Sequence, residues 1–166
     1  MIPTIKAEEN KELKKLIDES NKHPSKVIFD YIMKNFKDKA LKMSDGIEVI
    51  VDNGDVDKLS TNPTEQKRAA IGNLRKLIEM AKFDHEAVKV NHNKFKSFRY
   101  YYANMEFNNE IYELCLNVGK ARNDGRNHLY AIMEGTPTNY GDSRLISNNA
   151  VSFSIQDVPS KKNISQ

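Results

Sequence analysis

Apolar residues at three- and four-residue spacing predict helices over the first 45 residues. Leu13, Leu16 and Ile17 form a narrow apolar stripe in a segment rich in lysine and glutamate. A second helical pattern starts at Pro24-Ser25, where Ser25 is placed to cap the helix. The apolar face of this second helix consists of Val27, Ile28, Tyr31, Ile32 and Phe36.

The middle of the chain predicts one short strand and one long helix. The segment Ile47–Val51 is rich in β-branched residues and follows a turn at Gly46, which favours a strand. The run Asn62-Pro63-Thr64-Glu65 combines a capping residue, a proline at the first helical position and a glutamate three residues after the cap. We therefore expect a helix over residues 63–82. Its buried stripe would consist of Ile71, Leu74, Leu77, Ile78 and Ala81.

From Phe98 onward the period of the apolar pattern changes to two, which predicts β-strands. The expected strands span residues 98–107, 111–118, 127–134 and 150–157, with a long loop over 135–149. The sequence thus predicts an α+β fold, in which N-terminal helices precede a helix packed on a four-stranded antiparallel sheet. We divide the chain into a helical segment at 1–45, an α+β domain at 46–159 and a flexible tail at 160–166.

Alternation along these strands separates an apolar sheet face from a polar one. Ala103 and Met105 in the first strand, with Leu129, Ala131 and Met133 in the third, belong to the face that we expect the helix to cover. The second strand is ambiguous because both of its faces carry apolar residues. The other face, expected to be open to solvent, would carry Tyr100, Tyr102, His128, Tyr130, Ser152 and Ser154. Such a face is typical of a platform for single-stranded RNA, although tyrosine and serine are also common on ordinary strands.

Composition narrows the class of protein. The chain has 166 residues, 26 Lys+Arg against 23 Asp+Glu and 39% hydrophobic residues, which excludes a collagen-like or fully disordered chain. No apolar run reaches the roughly 20 residues of a membrane-spanning helix, and the N-terminus does not resemble a secretory signal. The single cysteine, Cys115, excludes internal disulfides. We expect a cytoplasmic protein, or one delivered into the cytoplasm of a target cell, with no membrane partner.

The net charge of +3 is small, but the basic residues are clustered. Lys89–Arg99 contains four cations, one histidine (His92) and no acid, and Lys120–Arg126 is also net positive. Two interpretations remain open for these stretches. They form either ordinary solvated loops or a rim that attracts nucleic-acid phosphates.

No sequence motif for a metal or a cofactor is present. The four histidines are scattered without the i, i+4 pairing of zinc sites, and no glycine-rich phosphate loop or dinucleotide fingerprint occurs. The run Asp52-Asn53-Gly54-Asp55 resembles part of a calcium loop but lacks its downstream glutamate, so we interpret it as a turn. We expect neither metal nor cofactor.

The motifs between Gly46 and Asp157 resemble a known family. They are Gly46–Val51, Lys58-Leu59-Ser60, Ala70–Leu77, Phe98–Tyr102, Asn109–Tyr112, Gly125–Tyr130 and Ser152–Ile155. Their order and spacing are similar to the C-terminal domains of phage MuF-type and large polyvalent proteins. Those domains are assigned to the barnase/EndoU/colicin/RelE-like nuclease superfamily.

This resemblance implies a metal-independent, toxin-type endoribonuclease carried by a phage or mobile element. Such enzymes cleave RNA by attack of the ribose 2′-hydroxyl on the adjacent phosphate, which requires a base, an acid and cations. The catalytic residues implied by position are His128, Tyr130, Arg99 and Ser152. The implied substrate-binding residues are Lys58, His92, Tyr100, Tyr102 and Ser154. RNA such as tRNA would be the substrate, and an immunity or antitoxin protein a partner.

Two positions depart from the family pattern. Asp57 stands where a basic residue often precedes the Leu-Ser pair, and Thr61 where a histidine often follows it. Arg99 also has the parity of the covered sheet face. These departures favour an alternative, an inactive interaction module that binds a protein or a nucleotide-like ligand on the sheet. A third reading is a packaging domain assembled through its N-terminal helices.

Overall fold

The computed structural model describes residues 1–135, which contain five helices and seven strands. The helices are α1 (Lys11–Glu19), α2 (Pro24–Phe36), α3 (Asn53–Leu59), α4 (Glu65–Gly72) and α5 (Leu74–Met80). The strands are β1 (Thr4–Lys6), β2 (Leu41–Lys42), β3 (Glu48–Val49), β4 (Lys82–Val88), β5 (Phe95–Phe107), β6 (Glu110–Ala121) and β7 (Asn127–Glu134). The predicted strand at 150–157, with Ser152 and Ser154, lies outside the described residues, as does the predicted tail.

The first two helices begin where side chains satisfy unpaired backbone N–H groups. Asn10 caps α1 by accepting a hydrogen bond from the N–H of Leu13 at 2.9 Å. His23, rather than the predicted Ser25, caps α2, because its Nδ1 accepts a hydrogen bond from the N–H of Ser25. Pro24 fills the first position, where no N–H is needed.

The single helix predicted at 63–82 is two helices. Thr64 caps α4 through the N–H of Lys67, and the break falls at Asn73. The Asn73 side chain donates to the carbonyls of Ala69 and Glu8, and such bonds compete with continued helix. The predicted apolar stripe is confirmed, since all five of its residues are buried.

The turn predicted at residues 52–55 is instead the start of α3. The Asp52 side chain accepts a hydrogen bond from the N–H of Asp55, and the Asp55 side chain accepts one from the N–H of Asp52, both at 2.9 Å. This reciprocal arrangement is a capping box, built here with aspartate at both positions. Of the strand predicted just before it, only Glu48–Val49 is regular, and it pairs with β2.

The main sheet has five strands rather than the four predicted, in the order β1-β5-β6-β7 with β4 also on β5. The pairings are antiparallel except for β1, which lies parallel to β5. The prediction of a mixed α+β fold with a mostly antiparallel sheet is confirmed. A turn at Asn108-Asn109 joins β5 to β6, and both residues have positive φ, as a tight hairpin turn requires.

Both faces of the sheet are largely buried along β5 and β6. The helices cover the face that carries Tyr101, Ala103 and Met105, as predicted. The opposite face carries Tyr100 and Tyr102, also as predicted, but these are only 3% and 6% exposed. The expectation of a solvent-open tyrosine face is therefore wrong. The side chains of that face pack into a second apolar cluster that consists of Phe95, Phe98, Tyr100, Tyr102, Cys115, Ala121 and Met133.

A bulge in β7 changes the predicted parity of this strand. Asn117 pairs with Ala131 but Val118 pairs with Leu129, so Tyr130 is an extra residue. An extra residue inverts the alternation that follows it. Met133, predicted on the helix-covered face, therefore lies in the second cluster opposite Cys115.

None of the described helices is long and apolar enough to span a membrane.

Candidate functional site

The two basic stretches of the sequence meet at one end of the sheet. The first includes the β4–β5 loop and the second the β6–β7 turn. Arg122 joins them, because its N–H donates to the carbonyl of Lys94 at 2.8 Å and its guanidinium donates to the carbonyls of residues 89, 90 and 92. Backbone carbonyls carry no net charge, so these bonds hold the loop in place without neutralising the arginine.

His92 lies in this loop and has two distinct ring nitrogens. Its Nδ1 accepts hydrogen bonds from the backbone N–H groups of Lys94 and Phe95, each at 3.1 Å. The proton of the neutral ring therefore resides on Nε2. Burial lowers the pKa of His92, and the positive charges of Arg122 and of lysines 89, 58 and 94 lower it further. His92 is thus neutral at pH 7 and offers Nε2–H as a donor, without the free lone pair of a general base.

These five residues form one group, which we call the His92 cluster: His92, Lys58, Lys89, Lys94 and Arg122. Its members come from α3, the β4–β5 loop and the β6–β7 turn. A neutral N–H donor surrounded by cations is the chemistry that recognises a phosphate oxygen.

A second histidine is buried close to this loop. His128, in β7, is 3% exposed, and its Nδ1 lies 2.8 Å from Oδ2 of Asp55 in α3. The rings of His128 and Phe95 lie 5.7 Å apart. Among the described residues, His128 Nε2 and Asp55 Oδ1 have no hydrogen-bond partner. Burial raises the pKa of Asp55, although hydrogen bonds from Asp52 and His128 act in the opposite direction.

Lys94 connects the His92 cluster to this buried pair. Its Nζ lies 3.3 Å from Oδ2 of Asp52 and 3.6 Å from Oδ1 of Asp55. Burial by itself raises the pKa of Asp52, but hydrogen bonds from Asp55 and Lys94 outweigh burial and lower it. Asp52, Asp55 and His128 are close enough together to surround a metal ion. Because the Lys94 ammonium already lies against both carboxylates, we interpret the group as an ion-pair network.

Tyr130 and Lys58 border the same loop. The Tyr130 ring lies 6.0 Å from the His92 ring and 5.0 Å from the Phe95 ring, and it is half-buried. The ammonium of Lys58 lies 5.2 Å from the centre of the Tyr130 ring, in the geometry of a cation–π contact. The structure therefore brings together four of the residues singled out in the sequence: His92, His128, Tyr130 and Lys58.

Arg99 does not join them. Its guanidinium donates to Asp45 at 2.9 Å and to the hydroxyl of Tyr101 at 3.0 Å, and it stacks on Phe83 at 4.0 Å. Tyr101 belongs to the helix-covered face. Arg99, two residues earlier on the same strand, therefore lies on that face too, as the sequence predicts. Its neighbours are those of a structural ion pair.

Tyr100 and Tyr102 share a sheet face with His128 but lie within packed surroundings. Tyr100 stacks on His85 with ring centres 4.6 Å apart. Burial raises the pKa of the Tyr102 hydroxyl far above its ordinary range. In the described structure these rings are not available for stacking against bases.

Asp52 and Asp55 were not predicted to belong to the site, and Lys89, Lys94 and Arg122 were predicted only as members of the two basic stretches. Asp52 and Asp55 carried a usable signal, because two aspartates three residues apart before an apolar run can form a capping box. The pairing of Asp55 with His128 joins residues 73 positions apart, and no local pattern predicts it.

The fold and this site define a small α+β domain with a basic, histidine-containing surface beside a buried His–Asp pair. Residues 19–130 match the family model of large polyvalent protein-associated domain 3. The match spans about two thirds of the chain, and the chain therefore belongs to this family. It includes both members of the Asp55–His128 pair and the whole His92 cluster. No curated protein and no solved structure matches the chain.

Proposed function

We propose that this domain binds RNA through the backbone phosphates, at the His92 cluster. The observation that carries the proposal is the convergence of four cations on one neutral histidine, held there by the hydrogen bonds of Arg122 to the β4–β5 loop. A phosphodiester would accept a hydrogen bond from His92 Nε2 and lie against the ammonium of Lys94. Recognition of this kind depends on charge and is independent of sequence.

RNA binding is tested by fluorescence anisotropy with a labelled single-stranded oligoribonucleotide over a range of salt concentrations. We expect Lys94→Gln to weaken binding and to reduce the slope of log affinity against log salt by about 0.7, the value for one phosphate contact on a single strand. Lys76→Gln is the matched control, because Lys76 is an exposed lysine on α5. Equal effects of the two substitutions, or no binding by the wild type, would contradict the proposal.

RNA cleavage is the second candidate function, and the Asp55–His128 pair favours it. A carboxylate bonded to Nδ1 fixes an imidazole so that Nε2 can act as a base, and here Nε2 is unpaired among the described residues. In the proposed step, Nε2 removes the proton of a ribose 2′-hydroxyl, whose oxygen attacks the adjacent phosphorus. The bond from phosphorus to the 5′-oxygen breaks, and that oxygen takes a proton from solvent. The motif resemblance to ribonuclease-type domains of phages and mobile elements supports the same reaction.

Because His128 is 3% exposed, cleavage requires that side chains packed against it, such as Phe95, move away. The test is incubation of purified protein with RNA and with the same strand made of 2′-deoxy nucleotides. A 2′-hydroxyl mechanism predicts cleavage of RNA alone, reduced about 10²–10⁴-fold by His128→Asn. Binding without cleavage would support the alternative of an inactive interaction module, which the departures at Asp57 and Thr61 favour.

Expression in growing cells separates these two candidates further. An active ribonuclease of the toxin type would arrest growth in the cytoplasm, and His128→Asn would relieve the arrest. An immunity or antitoxin protein as a partner belongs to that proposal alone.

A further inference from the structure

Lys94 is shared between two environments. Its side chain is 41% exposed and reaches solvent from the loop, while its ammonium lies against carboxylates of Asp52 and Asp55. The distances of 3.3 and 3.6 Å exceed the 2.7–2.9 Å of a tight charged hydrogen bond. The ion pair is therefore loose, and an anion arriving from solvent competes for the same ammonium.

Asp55 is the group most sensitive to that competition. Its side chain is fully buried, so its charge depends on nearby cations and hydrogen-bond donors rather than on water. Oδ2 already has the N–H of Asp52 and the ring of His128, whereas the nearest cation to Oδ1 is Lys94. Drawing Lys94 toward a phosphate removes positive charge from Oδ1 and adds a negative charge nearby.

We propose that Lys94 is a positioning residue that couples phosphate binding at the His92 cluster to the uptake of a proton by the Asp55 carboxyl group. The inference rests on the proposed RNA-binding function and adds a regulatory step to it. The proton comes from solvent and ends on Asp55 Oδ1, where it neutralises a carboxylate that has lost its cation. The protonated Asp55 then holds His128 by a neutral hydrogen bond, which weakens the attachment of the histidine to α3.

The charged and titratable groups in contact with the Asp55 carboxylate come from three parts of the fold. Asp52 precedes α3, Lys94 lies on the β4–β5 loop and His128 lies on β7. Lys58, one turn along α3, belongs to the His92 cluster, as does His92 itself. His92 is the other group that could take up this proton, because a bound phosphate would also favour the protonated form of its ring. The experiment therefore has to separate a proton on Asp55 from a proton on His92.

The coupling is measured without RNA by following the carboxyl ¹³C resonance of Asp55 against pH by NMR. Burial already raises the pKa of Asp55, and loss of the nearby ammonium in Lys94→Gln should move its titration to higher pH. Lys76→Gln should leave it unchanged. An identical Asp55 titration in wild type and Lys94→Gln would overturn the inference, whatever the outcome for RNA binding.

The coupling is measured with RNA by calorimetry, using hexauridylate without terminal phosphates in buffers of different ionisation enthalpy. Diester phosphates do not titrate between pH 5 and 8, so any proton taken up belongs to the protein. We expect fractional proton uptake that grows as the pH falls below 7 and is lost in both Asp55→Asn and Lys94→Gln. The uptake should persist in His92→Asn.

Two results would overturn the inference. One is binding without proton uptake, and the other is uptake that disappears in His92→Asn but survives in Asp55→Asn. Failure of hexauridylate to bind contradicts the proposed function itself and is recognised separately by the absence of binding heat.

Discussion

At the scale of single residues, the chemistry of the site depends on which side-chain atoms already have hydrogen-bond partners. His92 and His128 lie in or close to one loop and both present Nε2, but His92 presents it as a donor and His128 as an acceptor. His92 has Nδ1 engaged by two backbone N–H groups and offers a donor, whereas His128 has Nδ1 engaged by Asp55 and retains an unpaired Nε2. The first arrangement suits binding of an anion, and the second suits proton transfer.

Asp45 allows a residue-scale test of the structural role of Arg99. Burial by itself raises the pKa of Asp45, but hydrogen bonds from Arg99, the N–H of Ile47 and Tyr101 outweigh burial and lower it. A lowered carboxyl pKa stabilises the fold above the unfolded pKa, and the stabilisation is lost as the pH falls through the folded pKa. Asp45→Asn should therefore reduce the free energy of unfolding by about 1–2 kcal/mol at pH 7.

The measurement is urea unfolding of wild type and Asp45→Asn at pH 7 and in steps down to pH 3. The difference between the two proteins should shrink as the pH falls, because the wild-type carboxyl becomes protonated. A difference that stays constant over this range would show that the charge of Asp45 contributes nothing. Loss of RNA binding in Asp45→Asn at full stability would return Arg99 to the functional site.

At the scale of elements, the strands position the residues of the site, and the bulge in β7 changes which face of the sheet the residues beyond it lie on. The extra residue at Tyr130 leaves His128 and Tyr130 close to Phe95, while it turns Met133 into the second cluster. The ring of Phe95 also packs closely against Gly119 of β6. A Cβ atom added at Gly119 would lie 2.7 Å from ring atoms of Phe95, which is nearer than real Cβ contacts allow.

Gly119→Ala should therefore disturb the packing of Phe95 at the start of β5. We expect a loss of about 1–3 kcal/mol in the free energy of unfolding, because Phe95 is fully buried and cannot move without shifting its neighbours. Gly54→Ala is the matched control, since its Cβ would make only ordinary contacts, at 3.5 Å and beyond, and alanine is favoured in a helix. Chemical denaturation measures both. Equal stability of Gly119→Ala and wild type would contradict the close packing.

Elements with strong local signals were predicted correctly from the sequence, and those that depend on distant contacts were not. The helices at α2 and α4 and the strand parity of β5 follow from apolar spacing and capping residues. The strand β4 has mostly exposed residues and no clean alternation, so only its pairing with β5 reveals it. The β7 bulge and the burial of Tyr100 and Tyr102 likewise depend on tertiary packing. This burial excludes the solvent-open tyrosine face that the sequence predicted.

The candidate site was predicted in part. His92, His128, Tyr130 and Lys58 were singled out from charge, parity and motif, and the structure brings them together. Asp55 was interpreted as part of a turn, and its pairing with His128, on a strand far along the chain, was not predicted. Long-range ion pairs leave no periodic trace in one sequence.

At the scale of the whole molecule, the N-terminal segment is packed into the sheet domain. β1 pairs with β5, and buried residues of α2 belong to the same core cluster as Leu114 and Leu129. Shared cores unfold together when neither part can bury its apolar surface alone. The N-terminal helices are thus part of the scaffold that positions the site.

Ile32, in α2, tests this unity, because its side chain is completely buried in that common core. Ile32→Ala should reduce the free energy of unfolding by about 2–5 kcal/mol. The NMR signals of the three tyrosines of β5, followed during chemical denaturation, should show the loss in a single transition. An unchanged transition for these tyrosines would mean that residues 1–45 form an independent domain.

The most direct test of RNA binding at the His92 cluster is a histidine ¹H–¹⁵N NMR spectrum recorded during titration with hexauridylate at low salt. Phosphate binding at the His92 cluster predicts that the Nε2–H signal of His92 shifts in proportion to bound RNA, while Nδ1 remains unprotonated near pH 7 and exposed His23 does not change. RNA that binds without moving the His92 signals, or that moves His23 equally, would contradict the account.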